Sequence, residues 1–426
     1  MPYSIPTGSS DSARRLSAIP SAALILPFAP QFKACAENGK ASCHFKKDSQ
    51  NLKKASRQTP LQKDDSTTAQ KNGNPLGDSS SYRTFSFTVS MDISVLILFF
   101  NRPEQVGKVF AEVKKARPAR LFLYQDGPRG EKDMPGILAC RKIFDDSEID
   151  WECEVHRNYQ TVNRGCDPSE YLSQQWAFSI ADKCIVLEDD DVPSLTFFKF
   201  CQEMLDRYEH DDRIGMIQGF NLDERTPDTG EDDYFFSTNF SIWGWASWSR
   251  VVLQWDKDYS WLDDQQAVDR IEALTRERKL RKDFIPMARA HRASGKAFYE
   301  TIFQAHLHLN GQLAIVPKVN MISNLGVQND SVHFAGSVQT LPSGYRRIFT
   351  MGRYDLEFPL HHPRYIIDHV AYRQRVYRTM AWRHPAVKVW RSIEELGINL
   401  RHGEFGRITS ALKNRLRIVC KGKEFK

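Results

Sequence analysis

The sequence lacks the signatures of several common protein classes. None of its 8 cysteines forms a CxxC pair and several lie in apolar runs, so we expect free thiols in a reducing compartment instead of a zinc ribbon or a disulfide scaffold. It has neither a Walker loop ending in Gly-Lys-Ser/Thr nor a GxGxxG turn after its first predicted strand. The apolar run VLILFF is far shorter than the roughly 20 residues that a membrane-spanning helix needs. ATP-dependent phosphoryl transfer, NAD-dependent hydride transfer and membrane insertion are therefore disfavoured.

The positive charge of the chain lies at its two ends. The formal net charge is +6, yet residues 1–90 hold 12 Lys/Arg against 6 Asp/Glu and residues 401–426 hold 8 against 2. The region between them is therefore net negative. A nucleic-acid-binding protein usually presents one basic face, so we expect no nucleic-acid partner. Two interpretations of the basic C-terminus stay open: a solvated terminal helix, which is the commoner case, and peripheral contact with anionic lipid, for a cytoplasmic protein at the inner membrane surface.

Composition and periodicity divide the chain into three segments. Residues 1–90 are rich in Ser, Lys, Gln, Asn and Pro and show no regular periodicity, so we expect a disordered or spurious N-terminal extension. Residues 91–365 alternate strand-like and helix-like patterns, which predicts an α/β domain with a mostly parallel sheet flanked by helices. Residues 366–426 show helical patterns rich in Arg and Lys, so we expect a basic helical extension.

Polar side chains follow three of the predicted strands. Asn101 and Arg102 follow SVLILFF, Asp126 follows RLFLYQ, and four acids from Glu188 to Asp191 follow CIVL. Taken alone, each of these features is commonly a turn or a helix cap. Ligands of open parallel sheets bind outside the carboxyl ends of the strands. We therefore expect these side chains to converge on one site.

The run of four acids is suited to a cation. Adjacent carboxylates repel one another, and burial makes that repulsion more costly. Carboxylate oxygens suit Mg²⁺ or Mn²⁺, and such ions usually keep substrate phosphates among their ligands. The sequence therefore predicts a divalent cation beside a nucleotide diphosphate, where it would stabilise charge on the departing diphosphate.

The chain resembles bacterial family 2-like sugar transferases of the GT-A nucleotide-diphospho-sugar fold, which are relatives of the Golgi N-acetylglucosaminyltransferase. The segments that carry the resemblance are LFFNRP, LYQDGP, VNRGCD, IVLEDDDVPSLTFFKFC, SIWGWASW and QLAIVPKVNMISNLG. They span roughly residues 92–370. The resemblance implies a metal-dependent glycosyltransferase that moves a sugar from a nucleotide-diphosphate donor to a glycan, lipid-linked or protein acceptor, with inversion.

The resemblance also orders the four acids. It implies that Asp190 binds the metal while Glu188 and Asp189 face the nucleotide. A conventional DxD spacing would select Asp189 and Asp191 instead. The first register keeps Pro193 and the following Phe-Phe pair aligned with the family, so we assign Asp191 to a favourable position at the N-terminus of the next helix.

The nucleotide pocket is assigned by the same resemblance. Asp126 would contact the base or the ribose. Asn101, Arg102 and Asn163 would frame the pocket.

The resemblance further names residues for the reaction itself. Glu300 would be the general base that removes the acceptor hydroxyl proton, although the family usually carries Asp at this position and an exposed helix acid is the alternative. His333 would reach the metal or the diphosphate. Trp243 and Trp245 would stack on sugar rings, or would pack in the core.

Two other functions remain open from the sequence. A nucleotidyltransferase would make a nucleotide sugar, but it favours a Gly-rich basic loop after the first strand, which FFNRPEQ does not provide. A non-catalytic glycan-binding protein of the same fold is the other alternative, and the Glu at position 300 is the feature that suggests it.

Overall fold

The structure, a computed structural model, describes most of the chain after residue 90. The described residues are 91–274, 278–326, 338, 341–380, 384–403, 405–406 and 408–409. The predicted N-terminal extension (1–90) and the predicted metal or diphosphate ligand His333 lie outside them.

Within the part of the chain that the structure describes, ten strands form a large sheet and a small one. The strands are β1 (Met91–Phe99), β2 (Pro118–Gln125), β3 (Glu154–Tyr159), β4 (Lys183–Glu188), β5 (Asp191–Pro193), β6 (Ile214–Gln218), β7 (Tyr234–Ser237), β8 (Trp245–Trp248), β9 (Leu313–Pro317) and β10 (Ile322–Asn324). The large sheet has the order β3-β2-β1-β4-β8-β6-β9-β7, and β5 pairs with β10. Strands β7 and β8 run antiparallel to their neighbours, while the other pairs of the large sheet are parallel.

Helices connect and cover these strands. They are α1 (Pro103–Ala116), α2 (Met134–Ile143), α3 (Cys166–Phe178), α4 (Leu195–Arg207), α5 (Ser249–Val252), α6 (Gln265–Leu274), α7 (Arg278–Ser294), α8 (Tyr299–Leu309), α9 (Ser343–Thr350), α10 (Val370–Thr379) and α11 (Pro385–Arg401). The predicted α/β class with a mostly parallel central sheet is confirmed. None of the described helices combines the length and apolar character that crossing a membrane requires.

Strand β1 lies in the core of the molecule. Val95, Leu96 and Ile97 are fully buried, since helices cover both faces of the sheet. Helix α1 begins with Pro103 in its first turn, where a missing backbone N–H costs nothing, and it ends at Arg117 in the left-handed conformation. The helical spacing of apolar residues in α1 therefore predicts which face of this helix is buried.

The sheet changes its direction of growth between β1 and β4. From β1 the chain adds β2 and then β3 on one side, and it returns to add β4 on the other side. Leu98 pairs with Glu188 and Phe99 pairs with Gln125, so the three strands end at the same level. Connections that diverge in this way open a crevice at the carboxyl ends of the strands. The polar segments after β1, β2 and β4 meet there.

The segment after the four acids differs from its prediction. Pro193 lies in β5 instead of the first turn of a helix, and α4 begins at Leu195. Strand β5 is held extended by antiparallel pairing with β10, in which Asp191 lies opposite Asn324. This pairing joins residues far apart in the chain, so the local pattern could not reveal it.

The C-terminal helices begin within the core. Tyr372 and Val376 of α10 are buried, and the ring of Tyr372 lies 4.8 Å from that of Phe235 on β7. Helix α10 therefore completes the packing of the sheet edge. The boundary at residues 365–366 stays a prediction.

Candidate functional site

Arg102 joins the end of β1 to the acids after β4. Its guanidinium donates to both carboxylate oxygens of Asp189, and its Nη1 lies 3.0 Å from Asp190 Oδ2. The two aspartates are 4% and 7% exposed. Burial alone would lower the pKa of Arg102, but the charges of Asp189 and Asp190 outweigh it and raise that pKa. The structure thus brings together one predicted metal ligand and two predicted nucleotide-binding residues.

Asn324 of β10 contacts Asp190 and Asp191, the last two of the four acids that begin at the end of β4. Its Nδ2 lies 3.2 Å from Asp190 Oδ1 and 3.0 Å from Asp191 Oδ1. Asp191 also accepts a hydrogen bond of 3.0 Å from the backbone N–H of Gly244. The predicted role of Asp191 at a helix N-terminus is therefore wrong, because its carboxylate is fully buried between β10 and the WGW segment. Burial, followed by the charge of Asp190, raises the pKa of Asp191.

Asp126 organises the loop that leads into α3. Its carboxylate accepts hydrogen bonds from Asn163 Nδ2 at 2.8 Å and from the backbone N–H groups of Arg164 and Gly165 at 2.8 and 3.0 Å. The backbone packs closely here, since a Cβ at Gly127 would lie 2.5 Å from the carbonyl carbon of Val162. Asp126 and Asn163 are thus adjacent, and their contact with a nucleotide stays a prediction.

Asn101 is bound to the start of α2. Its Nδ2 donates to Asp133 Oδ1 at 2.9 Å, and Asp133 also accepts from Arg129 Nε at 2.9 Å. The hydrogen bond from Arg129 is the largest cause that lowers the pKa of Asp133 to about 2. Asn101 therefore holds the loop after β1 in place, beside Arg102.

A second group of carboxylates lies between α3 and α8. Ligand oxygens of Asp167, Glu170 and Glu300 all lie within 4.8 Å of one another. Glu170 Oε2 is buried and has no hydrogen-bond partner among the described residues. Burial, with the charge of Asp167 as a further cause, raises the pKa of Glu300 to about 8. Burial and then the charges of Glu300 and Asp167 raise the pKa of Glu170.

Glu188 lies between the two groups of acids. Its Oε1 accepts a hydrogen bond of 3.3 Å from the hydroxyl of Tyr299, the residue before Glu300. Burial is the first cause that raises the pKa of Glu188, and the charges of Glu170 and Asp191 follow. Glu300 itself is 4% exposed, so the alternative of an exposed helix acid is excluded. The predicted base thus shares one acidic region with the predicted metal ligand.

The predicted stacking tryptophans are core residues. Trp245 is fully buried, and its ring lies 5.2 Å from that of Phe303 and 6.2 Å from that of Phe178. Trp243 is buried against Phe220, with 4.8 Å between ring centroids. The burial of both indoles favours the core alternative, and the stacking role of Trp243 and Trp245 stays a prediction.

Four site residues were missed by sequence reasoning: Asp167, Glu170, Tyr299 and Asn324. The sequence pattern predicts a helix over Tyr171–Ala181, whereas α3 begins at Cys166 and includes both acids. The spacing of Asp167 and Glu170, three residues apart, was the only available signal. Tyr299 and Asn324 reach the site through long-range packing.

Two separate sets of carboxylates have the chemistry that suits a hard divalent cation. Asp190 offers a carboxylate beside the strand ends, and Asp167, Glu170 and Glu300 form a second group whose ligand oxygens lie within 4.8 Å of one another. Mg²⁺ and Mn²⁺ prefer such oxygen ligands. Arg102 already pairs with Asp190, so a cation there would share that carboxylate with the guanidinium.

Comparison with known proteins finds similarity only to solved structures, at low TM-scores. No protein-family model and no curated protein matches the chain. Among solved structures, the inositol-1-phosphate CTP transferase from T. maritima matches with a TM-score of 0.31 and 11% identity, over 61% of this chain and 96% of that chain. A cytidylyltransferase from Leptospira borgpetersenii matches with a TM-score of 0.24 and 13% identity, over 41% of this chain and 65% of that chain.

The UDP-glucose pyrophosphorylase complexed with UDP-glucose also matches, with a TM-score of 0.24 and 10% identity, over 39% of this chain and 81% of that chain. Scores and identities this low support no conclusion about activity. The chain's own sheet and helices place it in the α/β class, and the site is an acidic crevice at the switch point of that sheet.

Proposed function

We propose that this chain is a metal-dependent glycosyltransferase that moves a sugar from a nucleotide-diphosphate donor to an acceptor hydroxyl with inversion. The observation that carries the proposal is the meeting of three strand ends at the switch point. There Arg102 holds Asp189 and Asp190, and the buried Glu300 lies beyond Glu188. The acceptor hydroxyl belongs to a glycan, a lipid-linked glycan or a protein.

Donor binding is assigned to the segments after β1, β2 and β4. Asp189 and Glu188 face the nucleotide, and the loop held by Asp126 and Asn163 forms the far wall of the pocket. Arg102 is already positioned by two buried carboxylates, so it needs little reordering when a donor enters. This arrangement binds the donor phosphates without a phosphate-binding loop rich in Ser, Lys or Gly.

Glu300 removes the proton of the acceptor hydroxyl. The acceptor oxygen forms a bond to the anomeric carbon, while the bond from that carbon to the diphosphate oxygen breaks and its electron pair leaves with the diphosphate. The proton of the hydroxyl passes to Glu300. Burial and the charge of Asp167 favour this proton, because they raise the pKa of Glu300 to about 8.

The cation is assigned to Asp190. When bound there, a Mn²⁺ or Mg²⁺ ion supplies Lewis-acid stabilisation of the departing diphosphate. Asn324 and Arg102 fix the orientation of the Asp190 carboxylate. In this proposal Asp167 and Glu170 lie beside the base Glu300, and the charge of Asp167 helps to raise the pKa of Glu300.

Nucleotidyl transfer is the competing function. It would release pyrophosphate from a nucleoside triphosphate and a sugar phosphate. The residues after β1 favour glycosyl transfer over it, because no glycine-rich basic segment follows the strand. The two reactions release different products, so one assay separates them.

The proposal is tested by the release of nucleoside diphosphate from a panel of nucleotide sugars with Mn²⁺. The panel is run on the wild type, Asp190→Ala, Asp190→Asn and the control Asp212→Ala, whose side chain is 95% exposed. We expect turnover of at least one donor, a loss of about 100-fold or more in both Asp190 variants, and no change in the control. Thermal unfolding checks that the variants are folded.

Two results would defeat the proposal. One is equal turnover of every donor by the wild type and the folded Asp190 variants. The other is a wild type that binds no donor. Donor binding without turnover, together with capture of glycans on an array, would favour the non-catalytic alternative.

A further inference from the structure

Helix α11 presents its apolar side chains to solvent. Positions 389, 393, 396 and 400 recur at helical spacing and lie on one face of the helix, and position 390 borders them. The exposed fractions along this outward stripe are Val389 60%, Trp390 66%, Ile393 57%, Leu396 46% and Leu400 52%. Single exposed apolar residues are ordinary, but a continuous row of this kind marks a binding surface.

The opposite face of α11 is polar and packs on the protein. Arg391 donates to the carbonyl oxygen of Thr379, and its guanidinium lies 4.2 Å from the ring centroid of Tyr345. Glu394 accepts a hydrogen bond of 2.9 Å from the backbone N–H of Ser343 at the start of α9. Arg391 and Glu394 therefore point toward the protein, while the five apolar side chains of the outward stripe face solvent, unlike the apolar stripe of an ordinary surface helix. Its outward stripe is built for a partner.

The charge that follows the helix identifies the kind of partner. Residues 401–426 hold 8 Lys/Arg and 2 Asp/Glu. In a second copy of this chain the residues that follow α11 in the sequence carry the same excess of positive charge, which opposes association of two copies. An anionic lipid surface attracts that charge and also accepts an apolar stripe with a tryptophan at its border.

We propose that the outward stripe of α11 docks on an anionic lipid surface, with its apolar side chains between the headgroups. The inference stands apart from the catalytic assignment, since none of its residues lies among the carboxylates of the site. It also differs from a basic tail acting alone, because it assigns the apolar contact to five named side chains.

Sedimentation with vesicles tests this surface on the full chain. The vesicles are phosphatidylcholine alone or phosphatidylcholine mixed with phosphatidylglycerol. The test variant is Ile393→Glu with Leu400→Glu. Its matched control is Leu138→Glu with Leu253→Glu, two leucines that are 48% and 46% exposed on other parts of the surface.

We expect the wild type to bind the mixed vesicles, and to bind them less as salt is added. The test variant should lose about tenfold or more in its partition coefficient, since it removes apolar contacts and adds negative charge. The control adds the same charge and should bind nearly as the wild type does. Thermal unfolding of both variants shows whether they remain folded.

The proposal is overturned if the wild type binds neither kind of vesicle, or binds phosphatidylcholine alone equally well. Equal binding by the wild type and the test variant would also overturn it. Sedimentation equilibrium tests whether a second copy of the chain binds the outward stripe instead. A wild-type dimer that the test variant dissociates, without vesicle binding, would assign the stripe to a second copy of the chain.

Discussion

Glu300 is a buried carboxylate whose protonation should control the reaction. A general base must be deprotonated to accept the acceptor proton, and the pKa of Glu300 is raised to about 8 by burial and by the charge of Asp167. We therefore expect turnover to rise with pH through about 8 and then level. The measurement is the pH profile of kcat/KM for the preferred donor, with Glu300→Asp beside the wild type. A profile that is flat from pH 6 to 9, in a wild type limited by chemistry, would contradict the assignment.

Replacement of Glu300 should separate activity from stability. Glu300→Gln removes the base and should lower kcat by about 10²- to 10⁴-fold. In the folded protein the pKa of Glu300 lies above its ordinary value of 4.5, so the folded state keeps the carboxyl proton to a higher pH than the unfolded state does. The free energy of unfolding therefore falls as pH rises from about 4.5 to about 8. The Gln variant should lack this fall and should be more stable above pH 8 by on the order of a few kcal/mol.

Urea unfolding at pH 6 and pH 9 measures this difference. The control is Glu104→Gln, whose side chain is 70% exposed and which should change the pH dependence little. If Glu300→Gln is no more stable than the wild type at pH 9, the raised pKa of Glu300 is not present in solution.

Arg102 should stabilise the site mainly by pairing with buried charge. Removal of Arg102 leaves the buried carboxylates of Asp189 and Asp190 without their cationic partner, so Arg102→Met should cost about 3–5 kcal/mol. Adding Asp189→Asn removes one of these two charges and should restore part of that loss. Chemical unfolding of the two single variants and the double variant gives the coupling energy. Strict additivity would show that Arg102 and Asp189 do not interact in the folded protein.

At the scale of an element, strand β8 joins the sheet to the helices behind the site. Trp245 of β8 packs on Phe178 of α3 and on Phe303 of α8, the two helices that carry the second group of acids. Trp245→Ala should therefore destabilise the protein by about 3–5 kcal/mol. Trp245→Phe should keep the KM for the acceptor, because the indole touches no exposed surface. A selective rise in that KM with unchanged stability would revive the stacking role.

The helices and strands that pack by local pattern were predictable from the sequence. The pattern PEQVGKVFAEVKKA predicts a helix with the observed bounds of α1, because Pro103 marks its start and apolar residues recur on one face. The strand ends at Asn101, Asp126 and Glu188 were predictable because parallel strands align their carboxyl ends.

What failed depends on contacts between distant segments. Strand β5 forms only because β10, more than a hundred residues later, pairs with it. Glu170 and Glu300 lie close together because α3 and α8 pack against each other, and no spacing in the sequence indicates that contact. The burial of Trp245 follows from the same packing. The pairing of Arg102 with Asp189 and Asp190 and the burial of Asp191 beside Asn324 also depend on long-range contacts that the sequence pattern does not indicate.

Over the whole molecule, acidic and basic residues are concentrated in different segments of the chain. The acidic crevice lies at the switch point of the sheet, while Lys and Arg predominate after α11. A nucleotide diphosphate needs cations to enter such a crevice, which is consistent with the proposed metal dependence. The basic end and the outward stripe of α11 serve attachment in our account, so the two functions use separate surfaces.

The two surfaces can therefore be tested independently in one protein. Ile393→Glu with Leu400→Glu should leave nucleotide-sugar turnover unchanged in the absence of vesicles, because neither residue touches the site. Asp190→Asn should leave vesicle binding unchanged while it lowers turnover. Loss of both properties in either folded variant would show that the two surfaces are coupled.

The most direct test of the central claim compares the two products that this site could release. The wild-type chain is incubated with Mn²⁺ and either a panel of nucleotide sugars or nucleoside triphosphates with sugar phosphates. Our account predicts nucleoside diphosphate from at least one nucleotide sugar, dependent on Asp190 and Glu300, and no pyrophosphate from the second mixture. Pyrophosphate release without any nucleoside diphosphate would contradict it.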